Sequence, residues 1–161
     1  MIAKKVLLVG NFGVGKTSLI RRFVLNEFSE DYISTIGVRV STKIVELNSE
    51  KIKLLIWDVA GTKDDEKVPK AYFLGASAAM YVFDMSRDET YLNLSSQIDT
   101  IKELSGLEDI TIVGNKKDLL TSLEINQVKK TVNIHIDLIT SAKDNENVED
   151  AFVLLANQSL K

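Results

Sequence analysis

The sequence predicts a three-layer α/β fold: a six-stranded, mostly parallel sheet with one antiparallel edge strand and helices on both faces. Three observations predict it. Apolar runs of strand length alternate with segments of helical period along most of the chain. The first run, Val6-Leu7-Leu8-Val9, is apolar on both faces, as a central parallel strand must be. One pair of runs is joined by only Asn48-Ser49-Glu50, a hairpin that puts one strand antiparallel at an edge.

The elements follow in order. Strand one covers about 2–9, and helix one about 16–25, with Leu19, Ile20, Phe23 and Val24 on one stripe. Periodicity lapses from Asn26 to Gly37. Strands two and three, about 38–47 and 51–57, flank the hairpin turn. From Val59 to Lys70 the chain is polar and charged and carries Pro69, its only proline; long loops of this kind are often functional. Strand four is about 77–83. Ser86-Arg87-Asp88-Glu89 has the pattern of a capping box opening a helix over about 87–104. Strand five is Ile110-Thr111-Ile112-Val113. Thr121-Ser122-Leu123-Glu124 is a second such box, opening a helix to about Val132. Strand six is about 134–139, and a last helix runs from about Asn147 to Ser159.

Size and composition narrow the class. A chain of 161 residues reads as one domain, 1–161, with a sizeable core. The formal net charge is −3 with acids and bases interspersed, which argues against nucleic acid or an anionic membrane as partner. Cysteine is absent, so disulfides, thiolate metal sites and a catalytic thiol are excluded. No apolar run has transmembrane length, the second residue is Ile2 rather than the glycine of myristoylation, and no prenylation cysteine closes the chain. The expectation is a cytoplasmic monomer without a direct membrane anchor.

The chemistry starts between strand one and helix one. Gly10-Asn11-Phe12-Gly13-Val14-Gly15-Lys16-Thr17, followed by Ser18, has the spacing G-x-x-x-x-G-K-[ST] in a strand–loop–helix context, that of a phosphate-binding P-loop. Glycines let backbone N–H groups curl around an anion, and the helix N-terminus faces the same charge. Lys16 would reach the β- and γ-phosphates and the Thr17 hydroxyl would ligate Mg²⁺. The fold expected is that of P-loop NTPases. After strand three, Asp58-Val59-Ala60-Gly61 (D-x-x-G) places a carboxylate beside the metal, and the Gly61 N–H within reach of a γ-phosphate. After strand five comes Asn115-Lys116-Lys117-Asp118 (N-K-x-D), and after strand six Ser141-Ala142-Lys143. Guanine shows two adjacent donors, N1–H and N2–H₂, which one carboxylate accepts together. Adenine lacks them and would leave Asp118 unpaired. The stems of Lys116 and Lys143 can sandwich the ring, and the Ala142 N–H can reach O6. A P-loop kinase or ATPase fits the first motif but not the last two.

These motifs, with Tyr32-Ile33-Ser34-Thr35-Ile36-Gly37-Val38, Trp57 and Ala71-Tyr72-Phe73-Leu74-Gly75-Ala76, resemble the Ras-like small GTPases, nearest the Rab branch, over essentially the whole chain. The resemblance implies a GTP/GDP switch in which Phe28 stacks on guanine and Tyr32 lies over the phosphates. Thr35 would join Thr17 and Asp58 around Mg²⁺, and segments 26–37 and 59–74 would be switches I and II. Effectors, an exchange factor and a GTPase-activating protein would read those switches. Lys16, Thr35, Gly61 and Thr62 would then carry the hydrolytic step.

The chain departs from the family in four places. Thr62 stands where the family has a water-orienting glutamine, and its hydroxyl is too short for that task. Phe12 replaces a small residue and would crowd the γ-phosphate. Lys63, Asp64 and Asp65 replace a Glu-Arg-aromatic run, and residues 157–161 do not match the family's prenylated tail. Slow hydrolysis is therefore expected, with a GTP-bound interaction module of negligible hydrolysis as the second reading. Trp57 and Tyr72 match two of three effector-contacting Rab aromatics, with Val40 at the third position. His135 reads as structural or surface-exposed.

Overall fold

The computed structural model describes residues 1–30, 35, 37–61 and 68–161. Six strands form one sheet: β1 (Ile2–Val9), β2 (Val38–Leu47), β3 (Glu50–Val59), β4 (Ala78–Asp84), β5 (Thr111–Asn115) and β6 (Leu138–Ile139). Their order is β2-β3-β1-β4-β5-β6. Only the β2–β3 pair is antiparallel. Among the described residues four α-helices connect and cover them: α1 (Lys16–Leu25), α2 (Leu94–Ser105), α3 (Ser122–Thr131) and α4 (Val148–Gln158).

Alternation along β1 explains the three layers. Val6 and Leu8 face α1 and α4, where Phe23 and Phe152 stack with ring centroids 4.1 Å apart. Leu7 and Val9 face the opposite layer, with Ile98 and Ile101 of α2 and Val128 of α3. With both faces covered, every residue of β4 is buried. Parallel order sends the C-terminal ends of β1, β3, β4, β5 and β6 to one edge, so the loops that follow them meet there. Register sharpens this. Leu8 pairs with Asp58, and Asp84 pairs with Asn115, which places two buried polar residues side by side at strand ends.

The structure corrects three boundaries. The hairpin turn is Asn48-Ser49 alone, both at positive φ (50° and 68°) as in a type I′ turn, and Glu50 pairs with Leu47 as the first residue of β3. Ser86–Glu89 does not open a helix. The Ser86 N–H and hydroxyl both donate to Asp84 Oδ1 (2.8 and 2.6 Å), and Glu89 pairs with Arg87. A short 3₁₀ turn, Asp88–Thr90, follows instead, and α2 begins at Leu94. The same pattern at Thr121–Glu124 does form a capping box at the start of α3. Strand six shrinks from the expected 134–139 to two residues. There Asp137 exchanges bonds with Ile112 partly through its side chain: its Oδ2 accepts from the Ile112 N–H at 2.7 Å, taking the place of a backbone partner. Just before Phe73, Lys70–Tyr72 forms a 3₁₀ turn. Among the described residues no helix is long and apolar enough to cross a membrane.

Candidate functional site

A cavity of about 560 Å³ opens at the C-terminal edge of the sheet. Its walls come from all four motif-bearing loops: Phe12, Gly13 and Gly15 to Ser18 after β1, Gly61 after β3, Asn115, Lys116 and Asp118 after β5, and Ala142 and Lys143 after β6. Phe28 and Thr35 complete it from the segment after α1. Asn11, Val14, Asp58 and Ser141 stand behind the wall. Tyr32 and Thr62 lie outside the described residues, as does the charged run Lys63 to Lys67.

The loop after β1 is shaped by its glycines and its lysine. Gly15 sits at φ 101°, and a Cβ there would lie 2.3 Å from Asn115 Nδ2, so only glycine fits. α1 starts directly after it, with no side chain capping its first turn. Lys16 is 5% exposed. Its ammonium donates to the carbonyls of Gly10 and Asn11, each at 3.0 Å, and closes the loop into a ring. Burial pulls its pKa down to about 8, against the opposing pull of the Asp58 carboxylate. A buried cation supported by carbonyl dipoles beside an open cavity is suited to an incoming polyanion.

Three oxygens gather next to it. Thr17 Oγ1 donates to Asp58 Oδ2 at 2.5 Å, and Thr35 Oγ1 lies 2.8 Å from Thr17 Oγ1 and 3.3 Å from the same carboxylate oxygen. Asp58 is 2% exposed, its Oδ1 has no hydrogen-bond partner, and burial raises its pKa despite the two hydroxyls and Lys16. A hard divalent cation would relieve this arrangement. Two neutral hydroxyls and one carboxylate suit Mg²⁺, which binds few protein ligands and keeps positions for phosphates and waters. Among the described residues no group of three or more His, Cys, Asp or Glu is placed to hold a metal ion.

The far end of the cavity is built for a planar base. Asp118 Oδ1 accepts from the Ser141 hydroxyl at 2.7 Å, which fixes the carboxylate's orientation. Asn115 is buried. Its Nδ2 donates to the Val14 carbonyl (3.1 Å), while its Oδ1 accepts from Thr140 Oγ1 (2.9 Å). Lys116 Nζ donates to the Gly13 carbonyl (2.8 Å) and pairs with Asp84 (3.0 Å). The Lys143 ammonium pairs with Glu30 at 2.7 Å. Val14 points into the core, and Asn11 turns away to the Tyr81 hydroxyl and the Glu89 carbonyl. Val14 therefore acts as frame, while Asn115 lines the cavity and at the same time ties Val14 to Thr140.

The motifs missed part of this frame. Asp84 is fully buried and holds Ser86 and Lys116, and Arg87 donates to the Phe12 carbonyl at 3.1 Å. Thr90 Oγ1 accepts from the Asp84 N–H at 2.9 Å. The one signal for them is a carboxylate, Asp84, closing an otherwise apolar strand. Phe12 lies on the cavity wall and is 37% exposed. His135 is exposed and faces Asp137 at 3.8 Å, away from the site. The Ala60 N–H donates to the Gly37 carbonyl (2.8 Å), joining the stems of the two loops expected to switch.

The model of the Ras family matches residues 5–161. The Ras-related protein Rab-25 of Bos taurus is 42% identical, with 92% of this chain and 72% of the relative aligned. Rab-8 of Diplobatis ommata is 38% identical (94% and 75%), and Rab-4A of Bos taurus 37% (97% and 74%). A family match from residue 5 to the last, with Rab relatives aligned over nearly all of it, makes this chain a small GTPase of the Ras family, on its Rab branch.

Proposed function

We propose that the protein is a guanine-nucleotide switch that binds GTP and GDP with Mg²⁺, hydrolyses GTP slowly, and signals through switches I and II. One observation carries the reading. Four strand-end loops converge on one cavity that has a buried lysine and an oxygen cluster at one end and an oriented carboxylate at the other. The separation of roles matches a nucleotide. Asp118 takes the paired guanine donors, Lys16 and the loop amides take the phosphates, and Thr17, Thr35 and Asp58 would hold Mg²⁺. When bound, the metal neutralises charge on the phosphate oxygens.

Hydrolysis needs an in-line water and stabilised charge on the transferring group. Lys16 and the loop amides supply charge stabilisation, so the rate does not vanish. A threonine hydroxyl is too short to orient the water as a glutamine does, and the Phe12 ring on the cavity wall would crowd the γ-phosphate. These two residues also support the second reading, a GTP-bound interaction module with negligible hydrolysis. Protein partners would use the switches and the adjoining sheet face, where exposed Val40 pairs with Trp57 across β2 and β3 and the Lys5 ammonium lies 3.7 Å from a Trp57 ring centroid.

Single-turnover GTP hydrolysis tests the proposal. The unmodified protein should turn over more slowly than glutamine-bearing relatives, and Thr62→Gln alone should restore little. Phe12→Gly with Thr62→Gln should exceed the sum of the single changes, because a glutamine at position 62 and the Phe12 ring would compete for the space of the attacking water. A rate equal to that of glutamine-bearing relatives without an activator would overturn slow hydrolysis. No measurable turnover would favour the second reading.

A further inference from the structure

Arg22 lies near the end of α1, outside every nucleotide motif. Its Nε donates to the Ala142 carbonyl and a terminal nitrogen to the Lys143 carbonyl, both at 2.9 Å. The other terminal nitrogen reaches the backbone and side-chain oxygens of Asn26, the residue that ends α1, at 3.4 Å. The guanidinium carbon is 6.0 Å from the Phe28 ring centroid. One side chain thus joins both walls of the base end: the loop after β6 and the segment leading to Phe28.

Peptide geometry gives this contact a consequence. In a trans peptide the C=O of one residue and the N–H of the next point in opposite directions. The Ser141 carbonyl accepts from the Glu146 N–H at 2.9 Å, so the Ala142 N–H faces the other way. The next two carbonyls are both held by Arg22. The loop is gripped on each side of Ala142: its own amide plane cannot turn without breaking the Glu146–Ser141 bond, and the two planes that follow cannot turn without breaking a charge-assisted bond to Arg22. Arginine suits this task because its planar fork spans two carbonyls at once.

We propose that Arg22 is a positioning residue that sets how long nucleotide stays bound, by holding the Ala142–Lys143 backbone against α1 and Phe28. The inference rests on the guanine-nucleotide reading of the cleft. Arg22 acts at the base end, whereas Thr17, Thr35 and Asp58 act at the phosphate end. Its removal should therefore add to metal removal without interacting with it.

The test is release of N-methylanthraniloyl-GDP from the full chain into excess unlabelled GDP, with and without EDTA. Arg22→Ala should speed release by about tenfold or more, the change expected when the worth of one charge-assisted hydrogen bond leaves the bound state. Arg22→Gln, which keeps the stem and one donor group, and Arg22→Lys should fall between, and either suffices if the alanine variant does not fold. EDTA should multiply release by the same factor in every variant, as for independent sites. Unchanged release in the variants would overturn the proposal. So would faster release that no longer responds to EDTA, because the lesion would then lie at the metal end. If the unsubstituted protein does not retain the labelled GDP, the nucleotide reading itself fails, a different result from either.

Discussion

Gly61→Ala is the substitution whose effect the geometry defines most sharply. A Cβ at Gly61 would lie 2.5 Å from both Cα and N of Phe12 and 2.8 Å from the carbonyl carbon of Asn11. All three are backbone atoms, so no side chain can swing aside. Real Cβ contacts essentially never fall below 3.0 Å, and the two loops must part by about half an ångström to reach even that. The P-loop side is pinned by Lys16 on the Gly10 and Asn11 carbonyls and by Arg87 on the Phe12 carbonyl. The displacement therefore falls on Gly61, the residue proposed to meet the γ-phosphate. A diphosphate does not need that amide, so GDP affinity should stay within about threefold. A triphosphate loses one hydrogen bond to a charged group, worth about 1.5–3 kcal/mol, or roughly ten- to a hundredfold in affinity. Fluorescence titration with labelled GDP and a non-hydrolysable GTP analogue, in Mg²⁺, measures both. Equal loss for the two nucleotides would mean that the P-loop itself had yielded. No loss for either would remove Gly61 from the γ-phosphate site.

Three further expectations follow from the same frame. Gly15→Ala combines a strained φ with a clash against Asn115 Nδ2 and should cost about 2–4 kcal/mol in urea unfolding, so an unmoved midpoint would refute it. Asp118→Asn should shift preference from guanine toward xanthine nucleotides in competition binding, because the amide offers a donor where the carboxylate accepted; unchanged guanine preference would contradict the role given to Asp118. Tyr81 is 2% exposed and burial pushes its pKa up to about 12. Its stabilising share is complete below pH 10 and is lost as pH rises toward 12, because the unfolded chain releases a proton that the folded one keeps. The full loss is on the order of 2–3 kcal/mol, and Tyr81→Phe should flatten the fall in urea stability above pH 10.

What the sequence revealed about the site was local. Each nucleotide motif is a short run after one strand, so spacing alone could place it. What it concealed was long-range. Arg22 meets Ala142 across 120 residues, Arg87 meets Phe12 across 75, and Lys116 meets Gly13 across 103. No local period encodes such pairs. Two misread boundaries share one cause, a side chain supplying a bond that the pattern assigned to backbone. At Ser86 the Asp84 carboxylate took the hydroxyl and the N–H a capping box would have used, and at Ile112 the Asp137 carboxylate replaced a ladder partner. The Thr121 box formed because both of its reciprocal bonds are present, with Glu124 accepting from the Thr121 N–H at 3.1 Å.

The long-range bonds also divide the site into two parts with different tolerance to change. P-loop, N-K-x-D and the loop after β6 form a closed frame: Asn115 ties Val14 to Thr140, Lys116 ties Gly13 to Asp84, Ser141 orients Asp118, and Arg22 ties the last loop to α1. Much of it is buried, and its bonds would be present whichever nucleotide is bound. Thr35 and Gly61 adjoin this frame differently. Thr35 meets it through its hydroxyl at Thr17 and Asp58, Gly61 through bare backbone contact with Phe12, and the stems of the two loops share the Ala60–Gly37 bond. A ligand shifts an equilibrium only by its difference in affinity for the two states. On the proposed reading that difference would lie in one hydroxyl and one amide at the γ-phosphate end, a few kcal/mol in all. That would be enough to move a two-state population by some two orders of magnitude or more, and small enough for a protein partner on the proposed Val40–Trp57 face to oppose it.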